Sequence, residues 1–315
     1  MRSIVITFFS IIVVLSSSAV TYGLRPEVGY RAVPSDYGII YEPVTFETPD
    51  SLTLQGWFFP AQDTAGIANQ LVGRMIPVPP DLIPPERSYD STEPQLRATI
   101  VICPGDAGNM TYLILYAYNL FTRGFNVFTF DWRGFGESDP WPIDPDRLIY
   151  SEFLTDYATA LDYLQTRPET DSSRVGLLGF STGAYLSFAM AAQRDDISAL
   201  VARATITSFD DLLSILSQLD PERTWHAPDD YPENLLPANA APSMTIPVFL
   251  IVGQNDERTP AWMSQHVYDL LTGPKQLWFV EGAAHGGRQA PELVAYDEFF
   301  DKIISFFEQH LCGED

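Results

Sequence analysis

The stretch "VGLLGFSTGAY" places a serine, Ser181, between two glycines, Gly179 and Gly183. The apolar residues before Ser181 predict a buried strand and the residues after it predict a helix, so the Gly-x-Ser-x-Gly motif falls on a strand-to-helix turn. Such a turn exposes the serine hydroxyl, and glycine is needed beside it because a larger side chain would collide with the adjoining strand and helix. The pattern predicts that Ser181 is a nucleophile.

A serine hydroxyl reacts only when a base removes its proton, and that base needs a carboxylate to orient it. Of the four histidines in the chain, His285 lies in the small-residue loop "EGAAHGGRQ", directly after the last predicted strand. His226 falls in a proline-rich segment, and His266 and His310 fall in predicted helices, where surface or packing roles are more common. His285 is therefore the predicted base.

The predicted acid is Asp256, in the stretch "VGQNDERTP" that follows the predicted strand "PVFLIVG". Ser181, Asp256 and His285 then each lie at the carboxyl end of a strand, and such ends of a parallel sheet converge on one crevice. This chain order and topology predict a Ser-His-Asp catalytic triad. Asp210 or Asp211, after the sixth predicted strand, is the alternative acid.

The charge balance and the cysteine count exclude several functions. The chain has 315 residues, with 41 acidic and 18 basic side chains and a formal net charge of -23. Charge of this sign repels polyanions, so we expect no nucleic-acid partner and no binding to anionic membrane surfaces. The two cysteines, Cys103 and Cys312, are too few for a disulfide scaffold, and no zinc-binding spacing occurs. The expected chemistry needs no metal or organic cofactor.

Two further motifs receive other interpretations. The stretch "RGFGES" contains Gly-x-Gly, but it lacks the third glycine of a dinucleotide-binding turn and does not open an early strand-turn-helix unit. The stretch "NMT" at Asn109 matches a glycosylation acceptor, yet asparagine at this point is also a good N-cap for the helix that follows. We therefore expect no dinucleotide site and an N-cap at Asn109.

The N-terminal stretch "MRSIVITFFSIIVVLSSSAVTYG" carries one arginine, an apolar run over residues 4–15 and then small residues. The apolar run is short for a membrane span and typical of a signal peptide. Residues 1–23 are thus predicted to be a signal peptide, cut after Ala19 or after Gly23, with an uncleaved N-terminal anchor as the alternative. Both interpretations predict an exported protein, with membrane contact only in the anchored form.

After the N-terminal segment the chain predicts one domain, residues 24–315, which opens with an antiparallel hairpin in "VTFETPDSLTLQGWFFP". A proline-rich loop insertion follows at about residues 61–97. Apolar strands then alternate with helices, which indicates a parallel sheet covered on both faces. The predicted elements include a helix over residues 109–123, a strand in "ISALVARATIT" and a closing helix over residues 291–310. Residues 208–246 are long enough for a short lid over the site.

These stretches together resemble the α/β-hydrolase superfamily, and within it the small-lid serine hydrolases similar to the Bem46-like or dienelactone-hydrolase-related group. The resemblance is carried by "CPGDAGNM", "FDWRGFGESD", "LLGFSTGAY", "GQNDERTP" and "GAAHGG", and it covers roughly residues 43–310 apart from the insertion and parts of the lid. It implies an α/β fold with an eight-stranded, mostly parallel sheet flanked by helices, a short lid and an esterase-type active site.

The sequence departs from the family pattern at the oxyanion hole. The turn at the serine points the backbone N–H of Thr182 toward a substrate oxygen, and the positive end of the following helix adds to its effect. Family members usually carry His-Gly at the position of Pro104-Gly105, so the second donor is expected to be the backbone N–H of Asp106, with Ala107 as the nearest substitute. A carboxylate at this place is unfavourable unless it turns away or is paired.

The expected function is an exported serine hydrolase that cleaves small-molecule carboxylic esters through an acyl-enzyme intermediate. A peptidase or amidase with the same triad, acyl transfer to an alcohol, and a catalytically silent binding protein on the same fold are the alternatives. No oligomeric state is predicted. Four side chains of the lid are candidates to line the substrate pocket: Trp225, Tyr231, Leu235 and Leu236.

Overall fold

The computed structural model of the protein describes residues 23–62 and 96–313. Apart from Gly23, the predicted signal peptide or anchor lies outside the described residues, and so does almost all of the proline-rich insertion. Within the two described ranges, no helix is both long and apolar enough to cross a membrane.

An eight-stranded sheet forms the centre of the molecule. In chain order its strands are β1 Glu42–Glu47, β2 Thr53–Phe59, β3 Arg97–Cys103, β4 Asn126–Phe130, β5 Thr170–Phe180, β6 Ala199–Arg203, β7 Val248–Gly253 and β8 Lys275–Val280. Across the sheet the order is β8-β7-β6-β5-β3-β4-β2-β1. The predicted hairpin pairs β1 with β2, and β2 is also antiparallel to β4. The other pairs are parallel, which confirms the expected, mostly parallel sheet.

Helices cover both faces of this sheet. They are α1 Ile114–Phe121, α2 Glu152–Gln165, α3 Thr182–Gln193, α4 Phe209–Leu219, α5 Pro237–Ala240, α6 Ala261–Leu270, α7 Pro291–Val294 and α8 Tyr296–Phe307. Apolar residues of α2, α3, α4 and α6 form one buried cluster, and those of α1 and α8 form a second. Alternate side chains of one strand enter the two clusters, so that in β3 Val101 joins the first, and Ile100 and Ile102 join the second.

The segment predicted as a lid begins with α4 and continues through short turns and α5. The hydroxyl of Ser208 caps α4 by accepting a hydrogen bond from the backbone N–H of Asp211. Leu212 and Leu216 of α4 belong to the same buried cluster as α3. The segment is therefore packed onto the face of the sheet that α3 covers.

Three elements differ from their predicted extent. The closing helix is broken at Ala295, whose φ of -131° and ψ of 49° are not helical, so α7 and α8 are separate. The strand β6 ends at Arg203, because the next residue, Ala204, has a φ of 58°. The helix that follows Asn109 opens with a 3₁₀ turn, Met110–Leu113. The Asn109 side chain accepts a hydrogen bond within this turn, which confirms the predicted N-cap.

Arg133 connects the loop after β4 to two other elements. Its side chain has no solvent exposure and lies between Asp156 of α2 and Asp50 in the β1–β2 turn. The guanidinium donates to each carboxylate at 2.7 Å, and the Arg133 backbone N–H donates to Asp156 at 2.9 Å. Because a buried charge is costly without its partner, this network holds the loop, the hairpin and the helix in one arrangement.

Replacing Asp156 with asparagine is expected to lower the free energy of unfolding by about 3 to 5 kcal/mol, because Arg133 would keep its charge and lose its buried carboxylate. Urea denaturation followed by tryptophan fluorescence measures the change. Asp301→Asn is the matched control, since Asp301 is 63% exposed and pairs with Arg123 at 3.3 Å. The control should cost less than about 1 kcal/mol, and equal losses in the two variants would contradict the prediction.

Candidate active site

The turn between β5 and α3 holds Ser181 in a conformation that serine rarely adopts, with φ of 52° and ψ of -115°. A side-chain carbon at Gly183 would collide with the carbonyl oxygens of Cys103 and Pro104, and one at Gly179 would collide with the turn of α3 that faces it. Both glycines are therefore required by close packing. A strained residue of this kind persists only where its surroundings hold it, and such residues cluster at functional sites.

The structure brings the three predicted triad residues into contact. The Nε2 atom of His285 lies 3.1 Å from the Oγ atom of Ser181, and its Nδ1 atom lies 2.9 Å from the Oδ2 atom of Asp256. An ionised carboxylate only accepts hydrogen bonds, so Nδ1 carries the proton and Nε2 accepts from the serine hydroxyl. All three residues are buried. This is the arrangement in which a histidine can take a proton from a serine.

The loop after β7 holds Asp256 as a carboxylate. Its Oδ1 atom accepts the backbone N–H groups of Arg258 at 2.9 Å and Thr259 at 2.8 Å, and its Oδ2 atom accepts the Thr259 hydroxyl at 2.9 Å. Burial acts to raise the pKa of Asp256, but the adjacent His285 and these hydrogen bonds outweigh it and hold the pKa below its usual value. Asp256 therefore keeps the charge that orients the imidazole.

The alternative acids lie elsewhere. Asp211 accepts hydrogen bonds from the Thr207 and Ser208 hydroxyls at the start of α4, and Asp210 is exposed to solvent. The carboxylate in contact with His285 is that of Asp256.

The predicted oxyanion loop packs against the nucleophile turn. A side-chain carbon at Gly105 would lie 3.2 Å from the ring of Phe180, the residue that precedes Ser181 in the sequence. Thr182 is the first residue of α3, a position at which the backbone N–H has no acceptor within the helix. The loop that carries Asp106 is thus held against the turn that leads to Thr182.

The Asp106 side chain is paired with a cation. Its carboxylate accepts a hydrogen bond from the Arg258 guanidinium, and both side chains are largely buried. Burial acts to raise the pKa of Asp106, but the charge of Arg258 outweighs it and lowers the pKa. The charge that would oppose an oxyanion is neutralised in this way, and the same contact joins the loop after β3 to the loop that carries Asp256.

Residues 24–30 form a strap across the oxyanion loop. Arg25 and Pro26 pair in parallel with Ala107 and Gly108, and the Arg25 N–H donates to the carbonyl oxygen of Asp106 at 2.7 Å. The Asn109 side chain donates to the strap carbonyl oxygens of Glu27 and Gly29. At the start of the strap, the Leu24 side chain enters the core and is 1% exposed.

A cavity of about 470 Å³ lies behind the oxyanion loop, between α1, α7 and α8. Its walls include Asp106, Leu113, Tyr116, Phe180, Arg203 and Glu292. The four lid candidates do not line it. Trp225, Tyr231, Leu235 and Leu236 are all buried in the apolar cluster that contains α3. Their contribution in the structure is packing of the lid, whereas this cavity opens on the other face of the sheet.

Within the part of the chain that the structure describes, no three His, Cys, Asp or Glu side chains converge as metal ligands.

Comparison with known proteins assigns this fold to a family. The family model for the alpha/beta hydrolase fold matches residues 98–241, from β3 through most of the lid, and this range includes Ser181. The chain has the α/β-hydrolase fold. The expected fold is thereby confirmed, while Asp256 and His285 lie beyond the matched range.

The chain is similar to "Uncharacterized protein YfhR" of Escherichia coli O157:H7, with 28% identity over 246 residues, which cover 78% of this chain and 73% of that protein. It is also similar to "Protein bem46" of Schizosaccharomyces pombe, with 25% identity over 253 residues, 77% of this chain and 69% of the other. Among solved structures, the esterase Pf2001 of Pyrococcus furiosus matches 92% of this chain and 99% of its own, with a TM-score of 0.67 and 18% identity. At that identity the likeness to the esterase concerns the fold.

The sequence alone did not predict the roles of Arg258, Thr259 and the strap. Because the carboxylate of Asp106 must turn away or be paired, the sequence indicates a nearby cation. It does not indicate which of the 18 basic residues supplies that cation. Thr259 lies in the same stretch as Asp256, "VGQNDERTP", but no pattern in that stretch marks its hydroxyl as a hydrogen-bond donor to the carboxylate.

A double-mutant cycle on Asp106 and Arg258 should show a coupling free energy of about 1 to 3 kcal/mol in favour of the pair. Asp106→Asn leaves a buried guanidinium without its anion, and Arg258→Met leaves a buried carboxylate without its cation. The double variant should therefore lose less free energy of unfolding than the sum of the losses in the two single variants. Urea denaturation of the four proteins measures this coupling. Additive losses would contradict it.

Asp131 gives the stability a distinct pH dependence. Its buried carboxylate accepts hydrogen bonds from the Met110 N–H and from the hydroxyl of Tyr30 at the end of the strap. Burial, with a smaller contribution from the charge of Glu137, raises its pKa from 3.8 to about 7. The folded state therefore holds this proton more tightly than the unfolded state, so the contribution of Asp131 to stability falls as pH rises from about 4 to about 7.

Asp131→Asn should remove this component. The free energy of unfolding of the wild-type protein, minus that of the variant, is expected to fall by roughly 4 kcal/mol between pH 4 and pH 8, from the size of the pKa shift. Urea denaturation at four pH values across this window measures the difference. Parallel pH curves for the two proteins would contradict the assignment.

Proposed function

We propose that this protein is a serine hydrolase that cleaves carboxylic esters through an acyl-enzyme on Ser181. The observation that carries the proposal is the continuous line of contacts from the Ser181 hydroxyl through His285 to Asp256, at a strained turn.

The geometry supports the following sequence of steps. His285 Nε2 takes the hydroxyl proton as the Ser181 Oγ attacks the acyl carbon, and Asp256 stabilises the imidazolium that results. The carbonyl oxygen becomes an oxyanion, which the backbone N–H groups of Thr182 and Asp106 stabilise by hydrogen bonds. The imidazolium then gives its proton to the leaving alcohol oxygen as the C–O bond breaks.

Water completes the reaction by the reverse route. His285 takes a proton from the water as its oxygen attacks the acyl carbon, and the resulting imidazolium gives this proton to the Ser181 Oγ as the bond between Oγ and the acyl carbon breaks and the acid leaves. The chemistry requires no metal or organic cofactor. Esters are the favoured substrate class because they need less protonation of the leaving group than amides do. The net charge of -23 disfavours strongly anionic substrates such as acyl-CoA thioesters.

We further propose that the protein is exported. The support is the sequence of residues 1–23 alone, with its basic start, short apolar run and small residues. Fractionation of cells that produce the full chain, with mass spectrometry of its N-terminus, tests this. An intact N-terminus in the cytosolic fraction would contradict export.

The first test of the active site is labelling with a fluorophosphonate probe, followed by peptide mass spectrometry. We expect labelling on Ser181, none in Ser181→Ala, and rates at least about a thousandfold lower in His285→Ala, because the serine loses its base. Asp256→Asn should lower the rate of ester hydrolysis about a hundredfold or more, since the imidazole loses its orientation. Ser214→Ala and His266→Ala, at exposed positions, are the matched controls and should react like the wild type.

The outcomes separate the alternatives. Labelling at Ser181 with cleavage of amides but not of esters would identify a peptidase or amidase, and ester product formed with an added alcohol in place of acid would identify an acyltransferase. A folded protein that takes no label would be a silent binding protein.

A further inference from the structure

Arg203 contacts the backbone of both the nucleophile and the base. It is the last residue of β6, and it is 2% exposed. Its carbonyl oxygen accepts a hydrogen bond from the Ser181 N–H at 2.9 Å. Its guanidinium Nη1 atom donates to the carbonyl oxygen of His285, also at 2.9 Å. A single residue thus joins the two loops whose side chains would exchange the proton.

Two further contacts orient the guanidinium. Its central carbon lies 3.5 Å from the centre of the Phe180 ring, and that ring packs against the imidazole of His285 with ring centres 5.5 Å apart. Its Nη2 atom faces the carboxylate of Glu292 in α7 at 3.3 Å. Arginine suits this place because a planar guanidinium can stack on a ring while its edges form hydrogen bonds.

The loop that carries His285 needs a contact that fixes its backbone. Its sequence, "EGAAHGGRQ", consists mainly of small residues, and Gly282 and Gly287 on either side of the histidine have φ angles of 74° and 64°. Glycine in these conformations gives the unfolded loop many alternatives, so the backbone needs contacts that select one. The Arg203 hydrogen bond acts at the histidine itself.

Stability alone does not explain a buried arginine here. The Arg203 Nε and Glu292 Oε2 atoms are buried and have no hydrogen-bond partner among the described residues. The 3.3 Å separation of the two charged groups is also long for a charge-assisted hydrogen bond. A buried ion pair with unsatisfied atoms is less stable than apolar side chains of the same size. The contact with good geometry is the one to the His285 backbone.

We propose that Arg203 is a positioning residue that holds His285 within reach of Ser181, and that Phe180 and Glu292 orient its guanidinium for this purpose. The inference rests on the proposed function, because it assigns Arg203 a role in the same triad. Arg203 does not itself touch the reacting atoms.

The principal test is the double variant Arg203→Met/Glu292→Gln, which removes both buried charges with little change in volume. For ester hydrolysis we expect kcat to fall about tenfold to a hundredfold, because a base displaced by a fraction of an ångström transfers the proton poorly. KM should change far less than kcat. The matched control is Arg194→Met/Asp196→Asn, an ion pair of 2.7 Å at the end of α3, which should keep the wild-type kcat.

A second readout reports on the histidine directly. The proton on His285 Nδ1, held by Asp256, should give a downfield proton resonance in the wild-type protein and in the control. In the double variant this resonance should broaden or shift while the circular dichroism spectrum stays that of the wild type. A folded double variant with unchanged kcat and an unchanged resonance would overturn the inference.

Arg203→Lys covers the case in which the double variant does not fold. Lysine keeps the charge but lacks the planar fork, so kcat is expected to fall below that of the wild type, and a wild-type value would overturn the inference. The two proposals fail in different ways. A wild-type protein that neither hydrolyses esters nor takes the probe would refute the proposed function, and the His285 resonance would still decide the role of Arg203.

Discussion

The close approach of α3 to the end of β3 is the constraint on which the active site depends. At Gly183 the helix lies so near that a side chain would strike the carbonyl oxygens of Cys103 and Pro104. This contact fixes the end of the helix, and with it the left-handed backbone of Ser181. Apolar packing of α3 against the sheet offsets the cost of that conformation. The position of the nucleophile is therefore a property of the core, whereas the groups around it stand on loops.

Buried arginine side chains join those loops to one another. Asp106 and Arg258 connect the loops after β3 and β7, and Arg203 connects the end of β6 with the loop after β8. The Coulomb attraction within such a pair only partly offsets the free energy that its groups lose when they leave water. Their contribution therefore lies more in fixing the geometry of the loops than in stabilising the fold.

Features with local signals could be predicted from the sequence. The turn at Ser181, the apolar strands and the placement of Asp256 and His285 after strands all follow from short stretches of residues. The partner of Asp106 stands 152 positions away, and no local pattern marks it. An apolar lid residue such as Tyr231 looks the same in the sequence whether it packs in the core or lines a pocket. Its packing role could therefore be assigned only from the tertiary structure. The break at Ala295 has no glycine or proline at the break itself to announce it.

The strap has a consequence for proteolytic maturation of an exported form. Cutting the bond between Gly23 and Leu24 would create a charged ammonium group on a residue whose side chain is 1% exposed, one residue before Arg25, which pairs with Ala107. Burial of that charge would cost free energy that the hydrogen bonds of the strap would have to offset. A cut after Ala19 would place the charged terminus four residues farther from Leu24 in the sequence. The two possible mature chains would therefore differ in the stability of the strap, and with it in the order of the loop that carries Asp106.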